Sequence, residues 1–289
     1  MKRILVTGGS GLLAYQFKKI APRDLDFHFL DHAEFDLTRA DVMAQRLGDL
    51  QPQVVINTAA YNLVDRCETE RELSWAVNAT GPRKLAEICA ERNIRLVHYS
   101  TDYVFDGAKK SPYSEADAGN PLNHYAAGKL AGEQAVLRAS PAHLVLRTSW
   151  VFDSHPTQAK TFIHTILKMA REGRPIKAAT DQVSVPTFAS DLAGWTLDLI
   201  HGGSHGLFHA VNDEGLSRFD WTKSILAEAA RARLISTEPP VEPVLSSFFN
   251  ATMCRPDYTV MSNEKLSRHF GRELGSWRSG LRKMLAQMN

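Results

Sequence analysis

Cysteine is scarce: the chain of 289 residues holds three, Cys67, Cys89 and Cys254. They are odd in number, scattered and without paired spacing, so neither a disulfide framework nor a cysteine-based zinc site is expected. Cys89 falls in a helical pattern, which predicts a core position, and the set points to a reducing compartment, the cytoplasm. Long apolar runs are missing as well. None reaches the ~18 residues that a membrane span needs, so no membrane partner is expected. The opening Met1-Lys2-Arg3-Ile4-Leu5-Val6-Thr7 reads as a strand running into glycines rather than a signal peptide. Charge of one sign is also lacking: a formal net charge of +2 gives no reason to expect nucleic acid or an anionic surface as a partner. Low-complexity segments and internal repeats are absent. So is Gly-x-Ser-x-Gly, which leaves Ser100 beside His98 without hydrolase context. His201, His205 and His209 recur at intervals of four. Gly202-Gly203 breaks any helix there, and no Cys or carboxylate completes a ligand set, so no metal is expected.

What is present is an ordinary globular composition, 44% hydrophobic and 23% charged. The length suits one large domain or two closely joined ones. Residues 3–7 form a short β-rich run, followed at once by Gly8-Gly9-Ser10-Gly11 and a helical stretch towards Ile20. Strand, glycine turn and helix N-terminus together make a phosphate cradle, and Gly8-x-x-Gly11-x-x-Ala14 fits a dinucleotide turn with a small residue in the third place. A second strand, 26–30, ends in Asp31. An acid there is placed for the adenine-side ribose and leans towards NADH, or it simply begins a turn. Asp36-Leu37 precede another helix, with Thr38 as its N-cap. A third strand, 53–57, runs into Thr58-Ala59-Ala60-Tyr61, small residues that leave room beside a sheet. Residues 70–92 read as one long amphipathic helix holding Asn78. Strand four, 94–99, delivers Ser100 and Thr101, and strand five, 143–147, ends in Thr148-Ser149-Trp150. Strands alternating with helices in this way predict an α/β fold, a Rossmann-type doubly wound parallel sheet.

The division expected is a dinucleotide-binding part over 1–150, rejoined by about 176–201, and a smaller substrate-binding part over 151–175 and 202–289. Helices are predicted at 159–172, at 190–200, from about 217 to 232 and at the end, with a strand near 206–211.

The chemistry gathers between His98 and Glu133. Tyr125 and Lys129 are four apart, which on a helix stacks them on one face. A phenol, the Thr101 hydroxyl and an ammonium at one point can move a proton, and a cation within ~4–6 Å would lower a phenol that normally titrates near ~10. Asn78 is either structural or part of a proton relay.

With these pieces placed, the chain resembles the extended short-chain dehydrogenase/reductase family, and within it the reductases of nucleotide-linked sugars. The matching runs are Gly8 to Gly11, Asn57-Thr-Ala-Ala-Tyr61 with Val64-Asp65, Tyr99-Ser-Thr-Asp-Tyr-Val-Phe-Asp-Gly107, Pro121-Leu-Asn123, Lys129-Leu-Ala-Gly-Glu133, Arg147-Thr-Ser-Trp150, Asp181-Gln182, Pro186-Thr187 and Arg255-Pro256. The resemblance implies Thr101, Tyr125 and Lys129 as the catalytic set and NADPH or NADH as cofactor. It implies reduction of the C4 ketone of a nucleotide-linked 4-keto-6-deoxy sugar, with dTDP-4-dehydro-L-rhamnose as the leading case. Gly8, Ser10, Gly11, Leu12, Asp31, Asp36, Leu37, Ala59, Ala60 and Tyr61, together with Tyr125 and Lys129, are the expected cofactor contacts. Val64, Thr101, Asp102, Trp150 and Arg255 are the expected substrate contacts, with Thr101 hydrogen-bonding the carbonyl and Arg255 either gripping the diphosphate or forming a surface ion pair. A homodimer is compatible with the family, but Tyr15-Gln16 replace a glutamate that some members use in a metal-assisted dimer, and Ser184 stands where a glycine is common. Two alternatives remain. One is a reductase or epimerase of the same fold acting on a GDP- or UDP-sugar. The other is a non-catalytic, cofactor-binding subunit, for which the regulatory subunit of methionine adenosyltransferase is the precedent.

Overall fold

The computed structural model describes residues 1–157, 161–250 and 253–288. Strand β1 (Lys2–Thr7) passes through the glycine turn into α1 (Leu12–Ile20), and β2 (Leu25–Leu30) follows. Helix α2 (Ala40–Leu50) leads to β3 (Val54–Asn57). Next come α3 (Arg71–Trp75), α4 (Gly81–Glu91), β4 (Arg95–Thr101), α5 (His124–Ala139) and β5 (Leu144–Thr148). The strand ends that the pattern predicts agree with these to within a residue or two, as expected of fraying ends.

The column predicted over 70–92 is helical throughout but widens into a π turn at Ala76–Thr80, between α3 and α4. Pro82 has no N–H to return to the Asn78 carbonyl, so the regular ladder fails at that point. Helix α5 crosses there with Gly132, whose missing side chain is required: a Cβ would collide with the Asn78 carbonyl oxygen.

The second half contains β6 (Val151–Phe152), α6 (Phe162–Arg171), β7 (Ile176–Ala179), β8 (Val183–Ser184), β9 (Thr187–Phe188) and α7 (Ala189–His201). It closes with β10 (Gly206–His209), β11 (Leu216–Ser217), α8 (Arg218–Arg231), β12 (Val241–Val244), α9 (Glu264–Phe270) and α10 (Trp277–Ala286). The helix expected over 159–172 is α6; positions 159 and 160 lie outside the described residues.

Six strands form one parallel sheet in the order β10-β5-β4-β3-β1-β2. Alternation sends Ile4, Val6, Ile56, Leu144 and Leu146 to one face, against Ala14 and Phe17 of α1 and Leu192 and Leu199 of α7. Leu5, Val55, Leu96 and Val145 face the other way, against Met43 and Leu47 of α2 and Leu85 and Cys89 of α4. Both faces of the sheet are covered, which is why these strands are apolar throughout. From β1 the chain turns to β2 on one side and reaches β3 on the other, and an open sheet forms its crevice at such a switch.

Strand β10 departs from the expected division. It pairs with β5 as the edge of the large sheet, because Phe208 packs into one face cluster and Leu207 against the other. Strand β7 pairs with β12 outside that sheet. A separate core gathers Ile163 and Ile166 of α6, Trp221 and Ile225 of α8, and Trp277 and Leu281 of α10. No helix among the described residues is long and apolar enough to cross a membrane.

Candidate active site

The glycine turn is built for close approach. Gly8 sits at φ +66, where a side chain is strained. A Cβ there would lie 3.0 Å from the Ala59 nitrogen, and one on Gly11 would lie 3.0 Å from the Gly8 carbonyl oxygen. Helix α1 has no side-chain cap and no acidic residue in its first turn. Its leading N–H groups and positive dipole end therefore stay available to an anion. A cleft of ≈ 830 Å³ opens at this point, lined by Gly8, Ser10, Gly11 and Leu12, by Asp36 and Leu37 beyond β2, and by Ala59, Ala60 and Tyr61 beyond β3. Ser100 Oγ and Thr148 Oγ1, at the ends of β4 and β5, are buried without hydrogen-bond partners, and both residues line the same cleft. A glycine cradle at one end and orphaned hydroxyls at the other fit a dinucleotide with a polar head.

Asp31 stands apart from this group. Its Oδ1 accepts the N–H of Ala33 at 2.9 Å and of Glu34 at 3.2 Å, and His32 rather than Asp31 lines the cleft. A short acid at a turn finds local donors first, as in the turn reading of this residue. Thr38 does not cap α2, since Arg39 holds that place; the Thr38 N–H and hydroxyl both donate to Asp36 Oδ1 at 2.8 Å.

Asn123 starts α5 by accepting the Ala126 N–H at 2.8 Å, which puts Tyr125 in the first turn and Lys129 one turn on. Both are buried. Lys129 Nζ donates to the Tyr99 carbonyl oxygen at 2.5 Å and so ties α5 to β4. Burial lowers its ammonium to about 8, and Glu133 pulls the other way. Glu133 itself holds Arg147 through two hydrogen bonds of 2.9 and 2.5 Å in a fully buried pair. Burial lifts the Tyr125 phenol above its ordinary value; the Asp102 charge adds to this, and a hydrogen bond with Thr101 opposes it. The expected lowering by Lys129 is not what governs: the ammonium is engaged by Tyr99, and desolvation of the phenolate dominates.

Thr101 caps the short 3-10 turn Asp102–Val104. Its oxygen accepts the Tyr103 N–H at 3.2 Å, and its hydroxyl donates to Asp102 Oδ1 at 3.1 Å. The hydrogen expected to serve a substrate carbonyl is directed at Asp102. Asp102 lines the cleft, yet it is only 3% exposed. Its Oδ2 accepts Ser184 Oγ at 2.8 Å and Thr259 Oγ1 at 2.5 Å. Burial pushes this carboxyl above its usual range, and the three hydroxyls pull it back.

Trp150 lines the cleft at φ +40, a left-handed backbone that costs a non-glycine residue ~1–3 kcal/mol and tends to mark functional sites. The Arg218 guanidinium lies 3.5 Å above its ring and 4.8 Å from that of Phe162, and burial lowers it to about 10. Nothing in the local pattern around Arg218 announces this contact; Ser100 and Thr148 could have been found as polar residues closing two central strands. Val64 and Arg255 stay out of the cleft lining. Val64 begins a 3-10 turn, and Arg255 reaches both carboxylate oxygens of the neighbouring Asp65, at 2.9 and 2.8 Å, so its ion-pair reading is the observed one. Asn78 serves structure: its side chain accepts the Tyr61 N–H at 2.9 Å and donates to the Tyr61 carbonyl at 3.1 Å. Gln16, in the place of the family's glutamate, is buried and bonded to Ser154 and Ser190. His201 ends α7 and His209 ends β10, so these two histidines share no element.

The family model described as RmlD substrate binding domain matches residues 1–289. A dTDP-4-dehydrorhamnose reductase of Aggregatibacter actinomycetemcomitans is 30% identical, over 99% of each chain. A probable dTDP-4,6-dihydroxy-2-methyloxan-3-one 4-ketoreductase of Streptomyces antibioticus is 34% identical, over 97% of this chain and 94% of its own. The crystal structure of a dTDP-4-dehydrorhamnose reductase from Bacillus anthracis in complex with NADP is similar at TM-score 0.92 and 31% identity, covering 99% of this chain and 100% of that one.

Proposed function

The chain belongs to the RmlD substrate-binding-domain family of the extended short-chain dehydrogenases/reductases, and from that premise we propose that it reduces the C4 ketone of dTDP-4-dehydro-L-rhamnose to give dTDP-L-rhamnose, with NADPH or NADH as cofactor. The observation that carries this reading is the meeting of Tyr125, Thr101 and Lys129 in one cleft with the Gly8–Gly11 cradle. Gly8, Ser10, Gly11 and Leu12 would hold the cofactor's diphosphate, and Ala59, Ala60 and Tyr61 its middle. The hydroxyls of Ser100 and Thr148 would meet the polar group of the nicotinamide. When bound, the reduced nicotinamide supplies the hydride.

The remaining work falls to the chain. As negative charge grows on the C4 oxygen, Tyr125 gives it the phenolic proton as general acid. Thr101 holds the phenol from the side. Lys129, anchored on the Tyr99 carbonyl, fixes α5 and lends positive charge as the phenolate forms. Trp150 supplies a flat wall for the sugar. Arg255 turns from Asp65 to the diphosphate when the substrate arrives, since a guanidinium grips phosphate oxygens in pairs. Three free cysteines, two of them buried, fit the reducing cytoplasm as the proposed location.

The test is oxidation of NADH and NADPH, in parallel, with dTDP-4-dehydro-L-rhamnose. Turnover that falls by roughly 10²–10⁴ in Tyr125→Phe, with cofactor binding intact, is the expected result. Turnover only with another nucleotide-linked 4-keto sugar would move the substrate towards that of the Streptomyces relative. A chain that binds cofactor and reduces no ketone would make it a binding subunit.

A further inference from the structure

Asp102 is a buried carboxylate met by hydroxyls. Thr101 reaches its Oδ1 at 3.1 Å, and Ser184 and Thr259 reach its Oδ2 at 2.8 and 2.5 Å. A hydroxyl has one hydrogen and an ionised carboxylate only accepts, so each of the three turns its hydrogen inward and its lone pairs outward. The outward side of the Thr101 oxygen then accepts the Tyr103 N–H, at 3.2 Å, and Thr101 and Tyr125 line one cleft. Two of the three donors come from far along the chain. Ser184 closes β8, and Thr259 follows shortly after Arg255. A residue without a side chain at 184 would leave Oδ2 to Thr259 alone.

We infer that Asp102 is a positioning residue: it fixes the direction of the Thr101 hydroxyl, presents that oxygen's lone pair to Tyr125, and makes the alignment depend on Ser184 and Thr259 being seated. This rests on the proposed reduction, in which Tyr125 is the proton donor. No covalent bond changes at Asp102. Once the Tyr125 proton has passed to the substrate oxygen, rotation about the Thr101 Cβ–Oγ bond carries the hydroxyl hydrogen from Asp102 to the phenolate. Ser184 and Thr259 stay on the carboxylate meanwhile, so it is never left bare in a buried site. The segment carrying Arg255 is thereby joined to the proton donor through side chains alone. Asp102, which the resemblance makes a substrate contact, acts one group removed from the substrate.

A double-mutant cycle in the full chain tests this. Asp102→Asn keeps the shape and is expected to lower kcat about tenfold or more, with KM for cofactor and sugar changed by less than about twofold. In a Thr101→Val background the same change should alter kcat by less than about twofold, the non-additivity expected of two groups that act through one hydrogen bond. Equal effects of Asp102→Asn in both backgrounds would overturn the inference and leave a merely structural acid. Ser184→Gly and Thr259→Ala, each removing one donor, should give smaller losses of the same non-additive kind, and they carry the cycle if Asp102→Asn fails to fold. A second measurement needs no turnover and so stands whether or not the sugar assignment holds. The Thr101 hydroxyl proton, observed by NMR in threonine-labelled protein and assigned through Thr101→Val, should exchange slowly with solvent in the natural chain and about tenfold or more faster in Asp102→Ala. Unchanged exchange in Asp102→Ala would overturn the positioning role.

Discussion

The two ends of the cleft are made in different ways. At the cofactor end the wall is backbone and small residues, each group directly following a strand of the large sheet: Gly8 to Leu12 after β1 and Ala59 to Tyr61 after β3. At the substrate end, side chains from remote segments meet: Asp102 with Ser184 and Thr259, Trp150 with Arg218, Asp65 with Arg255. The first kind of site works by what is absent, since missing side chains let a phosphate reach N–H groups and a helix dipole. The second works by what is present, and it exists only when both portions of the chain are folded against each other.

The contrast can be broken most heavily beneath the catalytic helix. Glu133→Gln leaves Arg147 buried and unpaired and should cost ~3–5 kcal/mol in urea unfolding, whereas replacing both with apolar residues should cost much less. At the cofactor end, Gly8→Ala puts a side chain at φ +66 against Ala59 and Thr58. The strain alone is ~1–2 kcal/mol. That strain falls on folding stability; cofactor affinity, read by fluorescence titration, should fall about tenfold or more because the added side chain shifts the turn that the diphosphate must approach. The buried Lys129 gives a pH signature. An unfolded lysine keeps its proton up to 10.5, while the folded one releases it at about 8. Between those values the unfolded chain binds more protons, so stability rises with pH across the window. Denaturant titrations of Lys129→Met at the two ends should lose that rise relative to the natural chain. The smallest effects belong to the rim. Asp65→Ala removes a largely exposed partner of Arg255 and should change stability by about 0–1 kcal/mol. Asp31→Ala should leave the ratio of NADH to NADPH turnover nearly unchanged, since its Oδ1 serves Ala33 and Glu34.

Most of the sheet is legible in the sequence, because a buried parallel strand announces itself as a short apolar run and a glycine turn after it as a break. The exceptions have identifiable causes. Strand β10 falls with the smaller part in the sequence because four residues, Gly206–His209, carry too little pattern to show which sheet they join. The π turn at Ala76–Thr80 was invisible because its cause, Pro82 against the Asn78 carbonyl with Gly132 pressing from α5, needs two helices in contact. In the candidate site, residue types at strand ends were readable, and the directions of their hydrogens were not. By residue type Thr101 is a donor to substrate, and Lys129 is the cation that tunes Tyr125. Both are engaged elsewhere, by Asp102 and by the Tyr99 carbonyl.

The sequence by itself determined the alternation of strand and helix, the phosphate cradle, and the stacking of Tyr125 over Lys129, because periodicity, missing side chains and helical spacing are local properties. Only the tertiary structure decided what those groups do to one another. The Asp102 carboxylate gathers hydroxyls from positions 82 and 157 residues away, and burial rather than a neighbouring cation sets the Tyr125 phenol. Desolvation and long-range hydrogen bonds come into being only when distant segments close around a point and exclude water, and no local window of sequence contains that event.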